Sequence, residues 1–125
     1  MAGELVLIVE DNPGNMKLAR DVLEFHGFRT AGAETAARAL ELVAGERPRL
    51  VLLDVQLPDM DGPTLLAHLR ADRALSGVAI VAVTAFAMAG DRERFLEAGF
   101  DGYLAKPIDV KSFPEHVRRF CEGRP

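Results

Sequence analysis

A chain of 125 residues is long enough to fold as one domain with its own core, and too short for two domains of ordinary size. It has 49% hydrophobic and 27% charged residues, as soluble proteins do, and a net charge of −4 that argues against direct binding to nucleic acid. No apolar run approaches the ~20 residues of a membrane span, and the only cysteine, Cys121, excludes an internal disulfide, so we expect a cytoplasmic protein.

The first part of the chain alternates β-type runs with helical patterns. Residues 5–9 are all apolar and predict a strand that ends at an acidic pair. Residues 13–26 repeat apolar side chains at helical spacing, and Gly27 is well placed to end that helix. Residues 28–31 predict a weak strand, and residues 34–44 predict a second helix that stops at the next glycine.

The middle of the chain continues the alternation. Residues 50–54 read as a strand that is buried on both faces. The pair Gly62-Pro63 opens a third helix, because proline is tolerated in a first helical turn. Residues 78–83 predict a fourth strand that ends at Thr84.

The last part of the chain adds two helices and a strand. Residues 91–98 predict a short charged helix, residues 102–105 a fifth strand, and residues 110–122 a final helix whose start Pro114 can disturb. Strands that alternate with helices imply a parallel sheet covered on both faces. The predicted fold class is therefore α/β, a three-layer, doubly wound sheet of five strands.

Polar side chains stand where the predicted strands end. Glu10 and Asp11 follow the first strand, Asp54 ends the third, Thr84 follows the fourth and Lys106 follows the fifth. Ligands of open parallel sheets bind outside the carboxyl ends of the strands. A lone aspartate would be read as a strand cap at a wet loop, but five such residues at one edge predict a site.

The three acids at this edge favour a magnesium site. Two carboxylates about 4 Å apart repel by roughly 4 kcal/mol at an effective dielectric of 20. Lys106 can offset only part of that repulsion, and oxygen ligands favour Mg²⁺ over zinc. The site would hold the metal and one further anionic group, whose oxygens Lys106 and Thr84 could bind.

The candidate nucleophile at this site is a carboxylate. The sequence contains no GxxxxGK[ST] or GxGxxG motif, so nucleotide binding by those routes is not expected. A carboxylate can attack phosphorus and form an acyl phosphate. Asp54 fits that role best, because it stands alone on the central strand beside the acidic pair Glu10-Asp11, which would hold the metal.

Four stretches of the sequence, VLIVEDNPGNMKL, LVLLDVQLPDMDG, VAVTAFAM and GYLAKPI, together resemble the receiver domain of two-component response regulators. The resemblance covers essentially the whole chain and implies a single CheY-like (flavodoxin-like) receiver domain over residues 1–125, with strand order 2-1-3-4-5. It also implies that Asp54 is the phospho-acceptor. Asp11, Asp54 and the backbone carbonyl of Gln56 would ligate Mg²⁺, with Glu10 assisting through water.

The resemblance also assigns the remaining residues of the site. Lys106 would pair with the phosphoryl group, and the Lys106–Pro107 bond would be cis. Thr84 and Tyr103 are similar to the family's switch pair, a hydroxyl drawn toward the phosphate and a ring that turns inward with it. Gln56 and Phe86 would tune dephosphorylation.

The function that this resemblance implies is that of a signalling switch, which catalyses only its own phosphorylation and dephosphorylation. A phosphohistidine on a sensor kinase or a phosphotransfer protein would donate to Asp54. The signal would pass to a protein target at the face formed by the fourth helix, fifth strand and fifth helix, because no output domain follows. Stretches VAVTAFAMAGDRERF and DVQLPDMDG look like stand-alone regulators of the DivK type.

Three alternatives stay open on the residues alone. An Mg²⁺-dependent aspartyl-phosphate phosphatase is disfavoured, because hydrolases resembling the haloacid dehalogenase family carry DxDxT where this chain reads EDNPG. A receiver that only binds partners would have lost an acceptor, an acid or the lysine, and all are present. The chain could also be a receiver taken from a longer protein.

Overall fold

The computed structural model describes residues 3–85 and 90–123. Five strands form one parallel sheet in the order β2-β1-β3-β4-β5. The strands are β1 (Leu5–Val9), β2 (Arg29–Ala33), β3 (Leu50–Asp54), β4 (Ala79–Thr84) and β5 (Gly102–Ala105). The helices are α1 (Pro13–Phe25), α2 (Ala36–Gly45), α3 (Gly62–Ala71), α4 (Asp91–Ala98) and α5 (Phe113–Cys121), with a short 3₁₀ turn at Arg73–Leu75. The predicted fold class and strand order are confirmed.

The helices cover the sheet on both faces and bury two apolar layers. One layer lies under α1 and α5 and includes Leu23 and Val117. The other lies under α2, α3 and α4 and includes Val43 and Leu66. Every residue of β1 and β3 is buried, as the unbroken apolar runs predict for central strands of a parallel sheet.

The second strand lies later in the chain than predicted. The prediction placed it at residues 28–31, whereas β2 pairs Arg29–Ala33 with β1. Phe28 is buried instead in the layer under α1 and α5. The small residues that continue β2 have low strand propensity, so pairing with β1, not local sequence, defines this strand.

The helix boundaries differ from the predicted ones where local hydrogen bonds define them. The second helix begins at Ala36, not at residue 34, because Thr35 caps it. The last helix begins at Phe113, not at residue 110, since Asp109 accepts the N–H groups of Lys111 and Phe113 in a preceding turn. The 3₁₀ turn was not predicted. Among the described residues, no helix combines the length and apolar character that a membrane crossing requires.

Candidate metal centre

The polar residues at the strand ends surround one cavity at the carboxyl edge of the sheet. Its volume is about 430 Å³. Glu10, Asp54 and Thr84 are buried at the ends of β1, β3 and β4, whereas Asp11 is exposed. The described residues that line the cavity are Glu10, Asp11, Asn12, Asn15, Asp54, Val55, Gln56, Leu57, Pro58, Thr84, Ala85 and Lys106. The architecture thus places the acids, the hydroxyl group and the amine around a common space.

Lys106 bridges the two buried acids. Its Nζ atom lies 2.6 Å from Oε1 of Glu10 and 3.0 Å from Oδ2 of Asp54. The three side chains are 15%, 6% and 8% exposed, respectively, so water screens these contacts only weakly. The ammonium group therefore balances part of the negative charge that the sheet edge gathers.

Backbone N–H groups bind the second oxygen of each buried carboxylate. The N–H of Asn12 donates to Oε2 of Glu10 at 3.0 Å, and the N–H of Gln56 donates to Oδ1 of Asp54 at 2.9 Å. Both acids are therefore held at both oxygens. Such two-point binding fixes the side chains in place before a ligand arrives.

The pKa values of Glu10 and Lys106 are shifted by burial and by the contacts that these side chains make. Burial raises the pKa of Glu10 above its ordinary value, although the hydrogen bonds from Lys106 and Asn12 oppose that shift. Burial alone would lower the pKa of Lys106, but its contacts with Glu10 and Asp54 outweigh that effect and raise it. The amine therefore stays charged at neutral pH.

Three carboxylates are close enough to share a metal ion. Glu10, Asp11 and Asp54 each offer an oxygen, and these atoms all lie within 4.8 Å of one another. One ammonium group cannot balance three carboxylates, so a divalent cation fits the charge of the site. A donor set made only of oxygen suits Mg²⁺, which takes one or two carboxylates and keeps waters.

The predicted switch residues lie on two neighbouring strands. Thr84 is 2% exposed at the end of β4, and its backbone carbonyl accepts the N–H of Lys106 at 2.8 Å. Tyr103 lies on β5, half-buried, with its ring 5.8 Å from the ring of Phe95 on α4. Thr84 thus lines the cavity, whereas Tyr103 is not among the described lining residues.

Three further predictions concern the Lys106–Pro107 bond, Gln56 and Phe86. The Lys106–Pro107 peptide bond is cis. Gln56 lies in the loop after β3 and lines the cavity. Phe86, which the resemblance linked to dephosphorylation, lies outside the described residues.

Sequence reasoning missed Asp59, in the loop that forms one wall of the cavity. Its carboxylate accepts the N–H groups of Ala36 and Ala37, at the start of α2. These partners are 23 and 22 residues away in sequence, so no local pattern could reveal them. Asp61 was also missed as the N-cap of α3, although an aspartate directly before Gly-Pro is a recognisable helix start.

Comparison with known proteins gives a family match over most of the chain. Residues 6–118 match the family model described as the response regulator receiver domain. The polar-differentiation response regulator DivK of Brucella anthropi is 43% identical over 115 residues, which cover 92% of this chain and 94% of that protein. The DivK of Brucella ovis is 42% identical over the same share of each chain.

Solved structures give the same match. The receiver domain of a sensor histidine kinase from Pseudomonas aeruginosa, with a magnesium ion coordinated in its active-site cleft, is 34% identical. Its TM-score is 0.86 over 97% of this chain and 99% of that one. A CheY-like receiver domain protein from Methanospirillum hungatei is 30% identical, with a TM-score of 0.84 over 98% and 96% of the two chains.

Proposed function

Because this chain belongs to the response regulator receiver domain family, we propose that it takes a phosphoryl group onto Asp54 and thereby switches its contacts with other proteins. The observation that carries this proposal is the setting of Asp54. One of its oxygens lies 3.0 Å from the ammonium group of Lys106, inside a cluster of three acids. Such a carboxylate is held at both oxygens and lies next to a cation that can stabilise new negative charge.

The transfer step is a displacement at phosphorus. A carboxylate oxygen of Asp54 forms the new P–O bond while the P–N bond of a phosphohistidine breaks, and the electron pair of that bond goes to the imidazole. Lys106 would turn from the carboxylates toward the phosphoryl oxygens. The chain thus supplies the acceptor and the charge for its own modification, and it needs no separate catalyst once a donor is bound.

Magnesium fits the remaining donors. Asp11, Asp54 and the backbone carbonyl of Gln56 would hold the ion, with Glu10 assisting through water. A bound Mg²⁺ would neutralise charge on the phosphoryl oxygens. Support comes from the spacing of the three carboxylates and from the relative that carries magnesium in its cleft.

Phosphorylation of Asp54 would then change the positions of Thr84 on β4 and Tyr103 on β5. The Thr84 hydroxyl would bind a phosphoryl oxygen, and the ring of Tyr103 would turn toward the space that Thr84 leaves. Tyr103 contacts Phe95, so its movement would reach α4 directly. The face formed by α4, β5 and α5 is therefore the proposed docking surface for a downstream protein, and the upstream partner is a histidine kinase or phosphotransfer protein of the cytoplasm.

We further propose that the chain is a regulator of the DivK type. The supporting observation is its 43% identity to the DivK of Brucella anthropi over 94% of that protein.

The test of this function is phosphorylation with acetyl phosphate, read by intact mass with and without Mg²⁺. We expect the wild-type chain to gain one phosphoryl group only when Mg²⁺ is present. Asp54→Asn should gain none, and Asp21→Asn, which alters an exposed acid of α1, should behave as wild type. A chain that neither gains a phosphoryl group nor binds beryllofluoride would overturn the proposal.

A further inference from the structure

The side chain of Asp59, outside the acidic cluster, connects the loop that forms one wall of the site to the start of α2. The carboxylate of Asp59 accepts the N–H of Ala36 through Oδ1 at 2.9 Å and the N–H of Ala37 through Oδ2 at 3.1 Å. Asp59 belongs to the loop between β3 and α3, whereas Ala36 and Ala37 are the first residues of α2. The contact therefore joins two segments that no strand pairing connects.

Asp59 supplies half of the partners that the start of α2 requires. The first four N–H groups of a helix have no acceptor within it. Thr35, the N-cap, accepts one of them, since its hydroxyl oxygen receives the N–H of Arg38. Asp59 accepts two more, and these two hydrogen bonds lower its pKa.

The loop that Asp59 anchors is itself compact. The N–H of Gly62 donates to the carbonyl of Val55 at 3.0 Å, and Gln56 pairs with Asp61 as an isolated antiparallel bridge. A Cβ at Gly62 would lie 2.8 Å from the Cα of Val55, which shows how closely the two ends of the loop approach. The two ends of the loop are therefore joined to each other by backbone contacts.

The same loop forms a wall of the cavity. Residues 54–58 all line it, and the N–H of Gln56 holds Oδ1 of Asp54. A displacement of the loop would carry this N–H and the carbonyl of Gln56 with it. Any effect of Asp59 on the site would pass through this loop, because Asp59 itself is not among the described lining residues.

We propose that Asp59 is a positioning residue for the metal site: by binding the start of α2, it fixes the wall that orients Asp54 and the carbonyl of Gln56. This inference rests on the proposed function, because the metal belongs to that function. In this proposal the start of α2 helps to position the metal site, although the acids of that site lie at the ends of other elements.

The chain offers a matched pair of variants to test this inference. Asp59→Ala removes two hydrogen bonds from the start of α2, and Thr35→Ala removes one from the same helix end. Only Asp59→Ala also releases the loop. Magnesium affinity is measured by calorimetry, with urea unfolding as the measure of stability. We expect both variants to unfold at lower urea, and only Asp59→Ala to bind Mg²⁺ more weakly, by about tenfold.

A second readout needs no metal. Amide exchange of Gln56 and Gly62 in the metal-free protein should be faster in Asp59→Ala and unchanged in Thr35→Ala. Asp59→Asn keeps an acceptor oxygen and should recover part of the lost affinity.

Two failures remain distinguishable. If wild type binds no Mg²⁺ and accepts no phosphoryl group, the proposed function fails, while amide exchange still shows whether Asp59 holds the loop. If wild type does both and Asp59→Ala matches it in Mg²⁺ affinity, Asp59 is a helix cap only and the inference is overturned. Equal loss of affinity in Thr35→Ala would overturn it as well.

Discussion

The Nζ atom of Lys106 lies 2.6 Å from Oε1 of Glu10, in a contact that leaves only 15% and 6% of the two side chains exposed. Glu10 follows β1 and Lys106 follows β5, so the contact spans the sheet edge over two intervening strands. Without a metal ion, this ammonium group is the cation that the buried acids require.

Replacement of Lys106 by methionine should expose that dependence. The change leaves Glu10 and Asp54 buried without their cation, so we expect the free energy of unfolding in the absence of metal to fall by about 3 kcal/mol. Mg²⁺ should then raise the melting temperature by more than it does in wild type, because the acids have no other counter-charge. Thermal and urea unfolding followed by circular dichroism, with and without Mg²⁺, measures both effects.

Lys17→Met is the control for the loss of a lysine ion pair. Lys17 contacts Asp21 at 2.7 Å, but the two side chains are 77% and 59% exposed. Exposed pairs contribute little, so we expect Lys17→Met to destabilise the fold far less than Lys106→Met does. An equally small loss for Lys106→Met would contradict the view that the amine supports the acids.

Gly62→Ala should destabilise the fold and distort the cavity wall. The added methyl group would meet the backbone of Val55 at 2.8 Å, which cannot move aside as a flexible side chain could. Overpacking of this kind costs about 1–3 kcal/mol. Gly45→Ala is the matched control, because its methyl group meets nothing within 4 Å and φ is not positive there; it should stabilise by about 0.5–1 kcal/mol. Urea midpoints measure both, and a neutral Gly62→Ala would contradict the close approach.

The capping contribution of Asp59 should depend on pH. Its pKa is lowered from an ordinary value of 3.8 by the N–H groups of Ala36 and Ala37. A lowered pKa means that the stabilisation is present above that ordinary value and is lost as the pH falls through the folded-state pKa. The difference in unfolding free energy between wild type and Asp59→Asn should therefore be constant above about pH 5 and shrink in acid. A difference that does not change with pH would show that the carboxylate charge contributes nothing.

Phe25 should matter for transfer from a protein donor and not from a small one. Its side chain is 86% exposed on α1, and Leu18, seven residues earlier on the same face, is 39% exposed. Since α1 begins beside Asp11, a partner that reaches Asp54 can cover this apolar strip. We expect Phe25→Ser to slow phosphorylation by a histidine kinase that modifies wild type and to leave the reaction with acetyl phosphate unchanged.

Leu96→Ser is the control for that prediction. Leu96 is 39% exposed and lies on α4, which packs on the face of the sheet opposite to α1. Its replacement should leave both reactions unchanged. Equal slowing with acetyl phosphate in Phe25→Ser would indicate damage to the site instead of a lost contact.

The parts of the fold that could be predicted are those whose signal is local. The apolar run of β3 and the charged helix α4 between glycines were predicted with the observed bounds, because burial on both faces and helix punctuation each leave a direct pattern. The start of α5 was wrong by three residues, since a turn held by Asp109 precedes it. Hydrogen bonds of that kind depend on geometry that composition does not record.

The residues of the site likewise divide into those that the sequence could predict and those that it could not. Glu10, Asp11, Asp54, Thr84 and Lys106 could be grouped in advance, because parallel strands bring their carboxyl ends to one edge. The sequence could predict that Lys106 offsets the charge of the acids, but not the distances of its ion pairs with Glu10 and Asp54. Asp59 could not be found, since its partners lie on α2 and the sequence between them carries no periodic signal. The roles of Thr84, Tyr103 and Gln56 in the reaction stay predictions until the variants are measured.

Glu10, Asp54 and Thr84 are held by strands that are buried along almost their whole length, while Arg92, Glu93, Arg94 and Glu97 of α4 are charged and exposed. A substitution at one of these four positions meets solvent or a partner and leaves the reacting groups where they are. Duplicate genes for such a protein can therefore exchange their contact residues and keep one chemistry. Substitutions in the buried strands therefore impair the fold and the site, whereas substitutions at exposed helix positions can change which partner is bound.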